Sequence, residues 1–454
     1  MWKRLKDTLQ DRRFMKAVMV IAVPLMLQQL ISVSVNLVDN LMVGYLGDHA
    51  LSGVAAVNRY YMVANCGVLG IASAAAVFIA QYYGAGNYEK VKESFRIKLL
   101  FTFSLSFVFT LLAYFGGQPI LRFFTNDEAV IAEGLRYIRI VCFSYVPSAL
   151  SISIYSAMRS VGEMKVPLRC STISVALNAV LNYLLIFGVF GLPAMGVAGA
   201  ALATLIARII EVLLALLALK SHSYPFSFPL STITKISARL TKEILAKAAP
   251  LMVNELLWSS GMATLFKFYG TRGSEVLSGY SISGTIGDLF FTLFGGMAAA
   301  TTVLVSTPLG ADRIEEAKDN AYKLVAFSVL LAVVFGGMLF GSSFLVPILY
   351  GHVSPDAQEV AILFLRVQGL MFWNYMATTQ CYFILRAGGD MKHTLMMDSG
   401  FMWTVNIPLV AIVTYLTPMP YIGLCLMGQF TDLLKLLIAQ HLVRKEAWAV
   451  NLTS

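Results

Sequence analysis

The chain has 454 residues, 58% of them hydrophobic and only 13% charged, with a formal charge of +9 and a mean hydropathy of +0.73. That composition leaves too little polar surface for a water-soluble protein of this length and points to the membrane class. The Lys and Arg residues gather in alternate connecting segments rather than on one face, so the positive charge reports topology and not a nucleic-acid partner.

Twelve apolar runs, each about long enough to span a bilayer, follow one another: about 15–44, 50–80, 95–116, 130–157, 166–190, 195–219, 244–269, 277–307, 321–346, 357–385, 394–416 and 421–442. The expected fold is an all-α membrane protein of twelve transmembrane helices. A basic segment, MWKRLKDTLQDRRFMK, precedes the first run, which is too long for a signal-peptide core and lacks a small-residue cleavage site, so it is expected to be retained. With this end inside, Lys3, Arg4, Lys6, Arg12, Arg13, Lys16, Lys90, Lys92, Arg96, Lys98, Arg159, Lys165, Arg169, Lys235, Arg239 and Lys242 fall in cytoplasmic segments, whereas the opposite loops hold Arg122 and Arg272. The positive-inside rule then puts both termini in the cytoplasm and the chain in the inner (cytoplasmic) membrane.

The first run contains Pro24 and then a polar stripe at helical spacing: Gln28 or Gln29, Ser32, Asn36 and Asp39. A charge at the centre of a spanning helix costs about 2.5–3.5 kcal/mol on insertion scales. Asp39 has no basic residue three or four positions away, so it faces the bundle interior or a wet cavity. Two readings remain open: a fixed salt bridge to Arg59, which the turn at His49 brings to similar depth, or exchange of a proton or sodium ion. In the fifth run Asn178 and Asn182 lie four apart on one face; their amides can ligate a cation, bond a carboxylate or join two helices. Arg208 and Glu211 in the sixth run, and Asp432 and Lys435 with reversed sign in the twelfth, are spaced to neutralise each other along one helix.

Between the sixth and seventh runs, residues 220–243 are polar, basic and carry two prolines, as a cytoplasmic linker would. The seventh run carries Pro250 and, five residues on, Glu255; Asp288 lies in the eighth. Both acids lack a basic helical neighbour and could form a second site that attracts cations. Pro24 and Pro250 remove a backbone hydrogen bond at matched places, allowing either a hinge or a static kink. The stretch MFWNYM in the tenth run, with Met371 and Tyr375, suits bulky amphipathic ligands but also ordinary packing. The five cysteines are read as small buried hydrophobes, and the histidines have no zinc spacing.

The chain is written twice. PLMLQQL at 24–30 returns as PLMVNEL at 250–256, LSG at 51–53 as LSG at 277–279, and Gly84 as Gly310, all at an offset of 226. Later the offset becomes 227, with RSVGEMK at 159–165 returning as RAGGDMK at 386–392. Six runs per copy is even, so both copies enter the membrane the same way round. Two six-helix lobes, 1–219 and 244–443, are therefore expected, related by a pseudo-two-fold axis along the membrane normal, with a tail at 444–454.

Along its whole length the chain resembles the multidrug and toxic compound extrusion (MATE) transporters. The marks are Pro24 followed by VDNLMVGYLG, then QYYGAGN, MRSVGEMKVP, LNAVLNYLLIFG with GLPAMGVAGAALAT, APLMVNELLW and LRAGGD. The resemblance implies that Asp39 couples to a cation, with Asn178, Asn182 and Thr204 as neighbours and sodium as a candidate metal. Some members have an aspartate at the place of Asn182. It links Glu255 to cation coupling as well, although the acid that sodium-driven relatives carry in the tenth span is Tyr375 here. The expectation is a monomeric cation-coupled antiporter, using H+ or Na+ and no cofactor, that exports organic, cationic or amphipathic compounds through a cavity including Gln29, Asn36, Met371 and Tyr375. A flippase for lipids or lipid-linked glycans, from the same superfamily, is the alternative. No nucleophile–base or metal-ligand constellation occurs, so no enzyme is expected.

Overall fold

The structure, a computed structural model, describes residues 11–191, 193–351, 353–417 and 420–453; Lys3, Arg4 and Lys6 of the basic opening segment lie outside them. Helix makes up 87% of it with no strand, as the runs predict. Twelve long helices follow the twelve runs: α1 Arg12–Gly44, α2 Asp48–Gly84, α3 Tyr88–Phe124, α4 Glu128–Ser160, α5 Lys165–Phe187, α6 Val197–Ser221, α7 Ala238–Gly270, α8 Glu275–Gly310, α9 Ile314–Leu349, α10 Pro355–Ala387, α11 Met391–Leu416 and α12 Tyr421–Arg444. Eleven of them are long and apolar enough to cross a membrane. The remaining one, α7, is 33 residues long, but Asn254, Glu255, Ser259 and Ser260 dilute its apolar centre.

Local chemistry sets the helix ends. The side chains of Asn87, Asp127, Ser354 and Asp390 accept hydrogen bonds from the first-turn N–H groups of α3, α4, α10 and α11, satisfying donors that no helical carbonyl can reach. Gly188 closes α5 in the left-handed region at φ 70°.

By packing, the chain divides into two compact units, Leu27–Met252 and Met1–Met26 with Val253–Ser454. The division falls inside α1 just past Pro24 and inside α7 just past Pro250, and each proline lies within a continuous helix. In the first unit α2 is the central element: 72% of its apolar window is buried, against 22% for α3. Small residues make this possible. A Cβ on Gly53 of α2 would stand 2.7 Å from the backbone N of Gly134 in α4. Its repeat partner in the other unit, Gly279 of α8, would meet the carbonyl oxygen of Ala357 in α10 at 2.6 Å. The twice-written LSG therefore marks two places where helix backbones touch.

The segment 220–243 packs with the first unit. Phe226 is fully buried, its ring 4.9 Å from that of Phe95 in α3. Glu93 accepts from the Ser237 N–H at 2.6 Å, and Arg96 donates to the Lys235 carbonyl at 3.1 Å. All five cysteines are buried and none forms a disulfide among the described residues, in keeping with the small-hydrophobe role expected of them.

Candidate functional site

In the unit Leu27–Met252, α1, α2, α4, α5 and α6 enclose a cavity of about 340 Å³. Asp39 from α1 lines it, together with Asn36, Asn178, Asn182, Thr204 and Arg208. The Asn182 amide nitrogen donates to Asp39 Oδ1 at 2.7 Å. With its amide oriented to satisfy both ends, Asn178 donates to Asp39 Oδ2 at 2.8 Å and accepts from the Thr204 N–H at 3.3 Å. Each carboxylate oxygen thus has one neutral donor. Charge-assisted bonds of this kind hold a carboxylate in place without cancelling its charge. The Asn182 side-chain oxygen is buried without a hydrogen-bond partner, a second acceptor beside the carboxylate.

The rival salt bridge does not form. Arg59 is exposed, and none of the ion pairs among the described residues involves Asp39. Arg208, on the cavity wall, is taken by Glu211 at 2.7 Å, as their spacing predicts.

The unit containing residues 253–453 has a larger cavity, about 600 Å³, lined by Glu255, Asp288, Asp398, Asp432 and Lys435 and by Trp258, Phe291, Phe294, Tyr375 and Tyr382. Glu255 and Asp288 stand in it without an ion pair among the described residues. Tyr375 donates to Gln429 Oε1. The expected Asp432–Lys435 pair is absent. Lys435 reaches instead to Asp398 of α11, at 2.6 Å, whose other oxygen accepts from Asn254 at 3.0 Å. Asp398 bonds both α12 and α7, so it outcompetes a partner on Lys435's own helix.

The MatE family model matches residues 24–184 and again 250–412. The chain belongs to the MatE family. The two matches begin 226 positions apart, the offset of the internal repeat. Among relatives, the chain is 23% identical over 407 residues to the probable multidrug resistance protein YoeA of Bacillus subtilis, covering 88% of this chain and 87% of that one. It is 26% identical over 419 residues to the probable multidrug resistance protein NorM of Bradyrhizobium diazoefficiens, covering 89% and 87%. The Vibrio cholerae MATE transporter VcmN, solved as a mutant, superposes with a TM-score of 0.88 at 17% identity over 96% of this chain and 98% of that one, a likeness of fold.

In this MatE chain the residues read from the sequence fall into two groups. Asp39, Asn36, Asn178, Asn182 and Thr204 meet in one cavity, and Glu255, Asp288 and Tyr375 in the other. Gln29 is exposed and Met371 half-buried, and neither lines these two cavities. The sequence reading missed Asp398 and the release of Asp432. The available signal was an unpaired acid in the eleventh run, at Asp398.

Proposed function

We propose that this MatE protein is a multi-pass cation-coupled antiporter, driven by H+ or Na+, that exports organic cationic or amphipathic compounds by alternating access, with both termini cytoplasmic. The names of YoeA and NorM support drug export. The observation that carries the coupling role is the Asp39 carboxylate: seated in a cavity on a membrane helix, held by two amide donors and, among the described residues, in no ion pair, since Arg208 on the same wall is bound to Glu211. A carboxylate in that setting can take up an ion from water. It drives transport only if it binds the ion with different affinity in the two conformations, since equal affinity shifts no equilibrium. The rings and acids of the larger cavity support an aromatic cation as cargo, attracted by carboxylates and ring faces together.

The test is reconstitution in liposomes with pH and sodium gradients imposed separately, following transport of a fluorescent cationic dye. Wild type should respond to one gradient, and Asp39→Asn should abolish that response. Transport unaffected by the substitution under both gradients sinks the coupling role, and lipid scrambling in place of dye export would favour a flippase.

A further inference from the structure

The segment that follows α12 folds back into the unit containing residues 253–453. We propose that residues 445–453 are a strap, centred on Trp448, that positions the α10–α11 turn and through it the Tyr382 wall of the larger cavity, so that its docking sets how tightly the cavity holds an aromatic cation. The proposal rests on the reading of that cavity as the place of the cargo.

The first argument is how the strap is held. Trp448 is fully buried, and its indole N–H donates to the Val443 carbonyl at 2.9 Å. Glu446 uses both carboxylate oxygens on α9: one accepts from the Tyr322 hydroxyl at 2.9 Å, and the other pairs with Lys318 at 2.9 Å. Its backbone lies in the left-handed region at φ 56°, which a residue with a side chain disfavours. Contacts on two sides hold a turn that the chain would not choose by itself. The internal repeat shows the same plan in the other unit. At the offset of 226, Tyr322 corresponds to Arg96, and Arg96 grips the Lys235 carbonyl in the segment that follows α6. Each copy therefore follows its sixth helix with a segment held by the opening turns of its third.

The second argument is the sequence of the turn itself. Where RSVGEMK returns as RAGGDMK, Val161 becomes Gly388. Gly388 has ordinary right-handed backbone angles, with φ −79°, so the turn does not require a glycine there. The strap does: a Cβ on Gly388 would overlap the Trp448 carbonyl oxygen, and one on Gly389 would stand 2.7 Å from the Leu452 side chain. The second copy has given up a side chain to let Trp448 close on the turn. From there the path to the cavity is short. Arg386, two residues before Gly388, donates to the Tyr382 hydroxyl at 3.5 Å, and Tyr382 lines the larger cavity together with Glu255. On the other side of the turn, Asp390 caps α11, the helix that brings Asp398 to the same cavity.

The experiment measures equilibrium binding of a fluorescent cationic dye to the purified chain in detergent, with hydrogen exchange across residues 382–396 followed in the same samples. Truncation after Arg444, and Gly388→Ala, which blocks docking but leaves the strap sequence intact, should each weaken dye binding by about two- to thirtyfold and speed exchange at the α10–α11 turn. The two losses should not add, because in the truncated chain Gly388→Ala has nothing left to displace. Trp448→Phe keeps a ring in the site and should stay close to wild type, which separates loss of the strap from loss of fold. Dye affinity or exchange unchanged by both the truncation and Gly388→Ala overturns the proposal, as do losses that add. Wild type that binds no dye overturns the cargo reading instead, and exchange then decides by itself whether the strap holds the turn.

Discussion

Asp39 is held by amides and Arg208 by an acid, and this division of partners governs how each should respond to substitution. Removing the Asn182 donor with Asn182→Leu takes away one charge-assisted bond to Asp39, with an expected loss of about 1.5–3 kcal/mol, read as a lower thermal unfolding temperature in detergent. Arg208→Met strands Glu211, whose side chain is only 4% exposed. Breaking a buried pair from one side costs about 3–5 kcal/mol, and the half-open position of Arg208 puts the expectation at the lower end. The double variant Arg208→Met/Glu211→Leu should recover most of that loss; if it does not, the pair is not what stabilises this wall. Both predictions concern bonds whose legibility differed. Arg208 and Glu211 share a helix, so spacing alone identified them. The Asp398–Lys435 pair spans two helices and displaced the same-helix pairing expected for Asp432, because sequence spacing ranks only neighbours along one helix.

At the scale of helices, the repeated glycines are the clearest case of a pattern explained by contact. Gly279→Ala forces a methyl group against the Ala357 carbonyl and the Val360 side chain. Overpacking of this kind costs about 1–3 kcal/mol, expected as a reduced melting temperature and lower yield of folded protein. Gly337→Ala, where the added Cβ meets nothing within 4 Å, should leave stability unchanged or raise it slightly through helix propensity. Equal effects at the two positions would remove the close-approach explanation. The helices themselves were legible from hydropathy, since lipid demands a continuous apolar stretch with internally satisfied backbone. The seventh was the least apolar because its middle turns supply Asn254 and Glu255 to the interior rather than to lipid.

On the scale of the whole molecule, the compact units do not begin and end where the sequence copies do. Each boundary lies inside a helix, just beyond a proline, where the missing backbone bond makes bending least costly. Replacing Pro24 and Pro250 by Ala restores those bonds and should slow dye export in liposomes while leaving dye binding intact; undiminished export would discount a hinge. The segment 220–243 is anchored by Phe226. Phe226→Ala should cost about 3–5 kcal/mol and open the segment to limited proteolysis, whereas continued protection would place its anchorage in the polar bonds to Glu93 and Arg96.

The sequence by itself determined the solvent, the number of spans, the duplication and the family, because lipid and gene duplication act on patterns that run along the chain. Helical spacing singled out the polar stripe of Asp39 and the Asn178–Asn182 face, but that these residues and Thr204 are neighbours came only from what the family resemblance implies. The three-dimensional fold decided which charges meet: Arg59 stays exposed and away from Asp39, and Lys435 takes Asp398 rather than Asp432 of its own helix. Those choices depend on distances between helices far apart in the chain, and a low-dielectric interior makes each of them worth kilocalories.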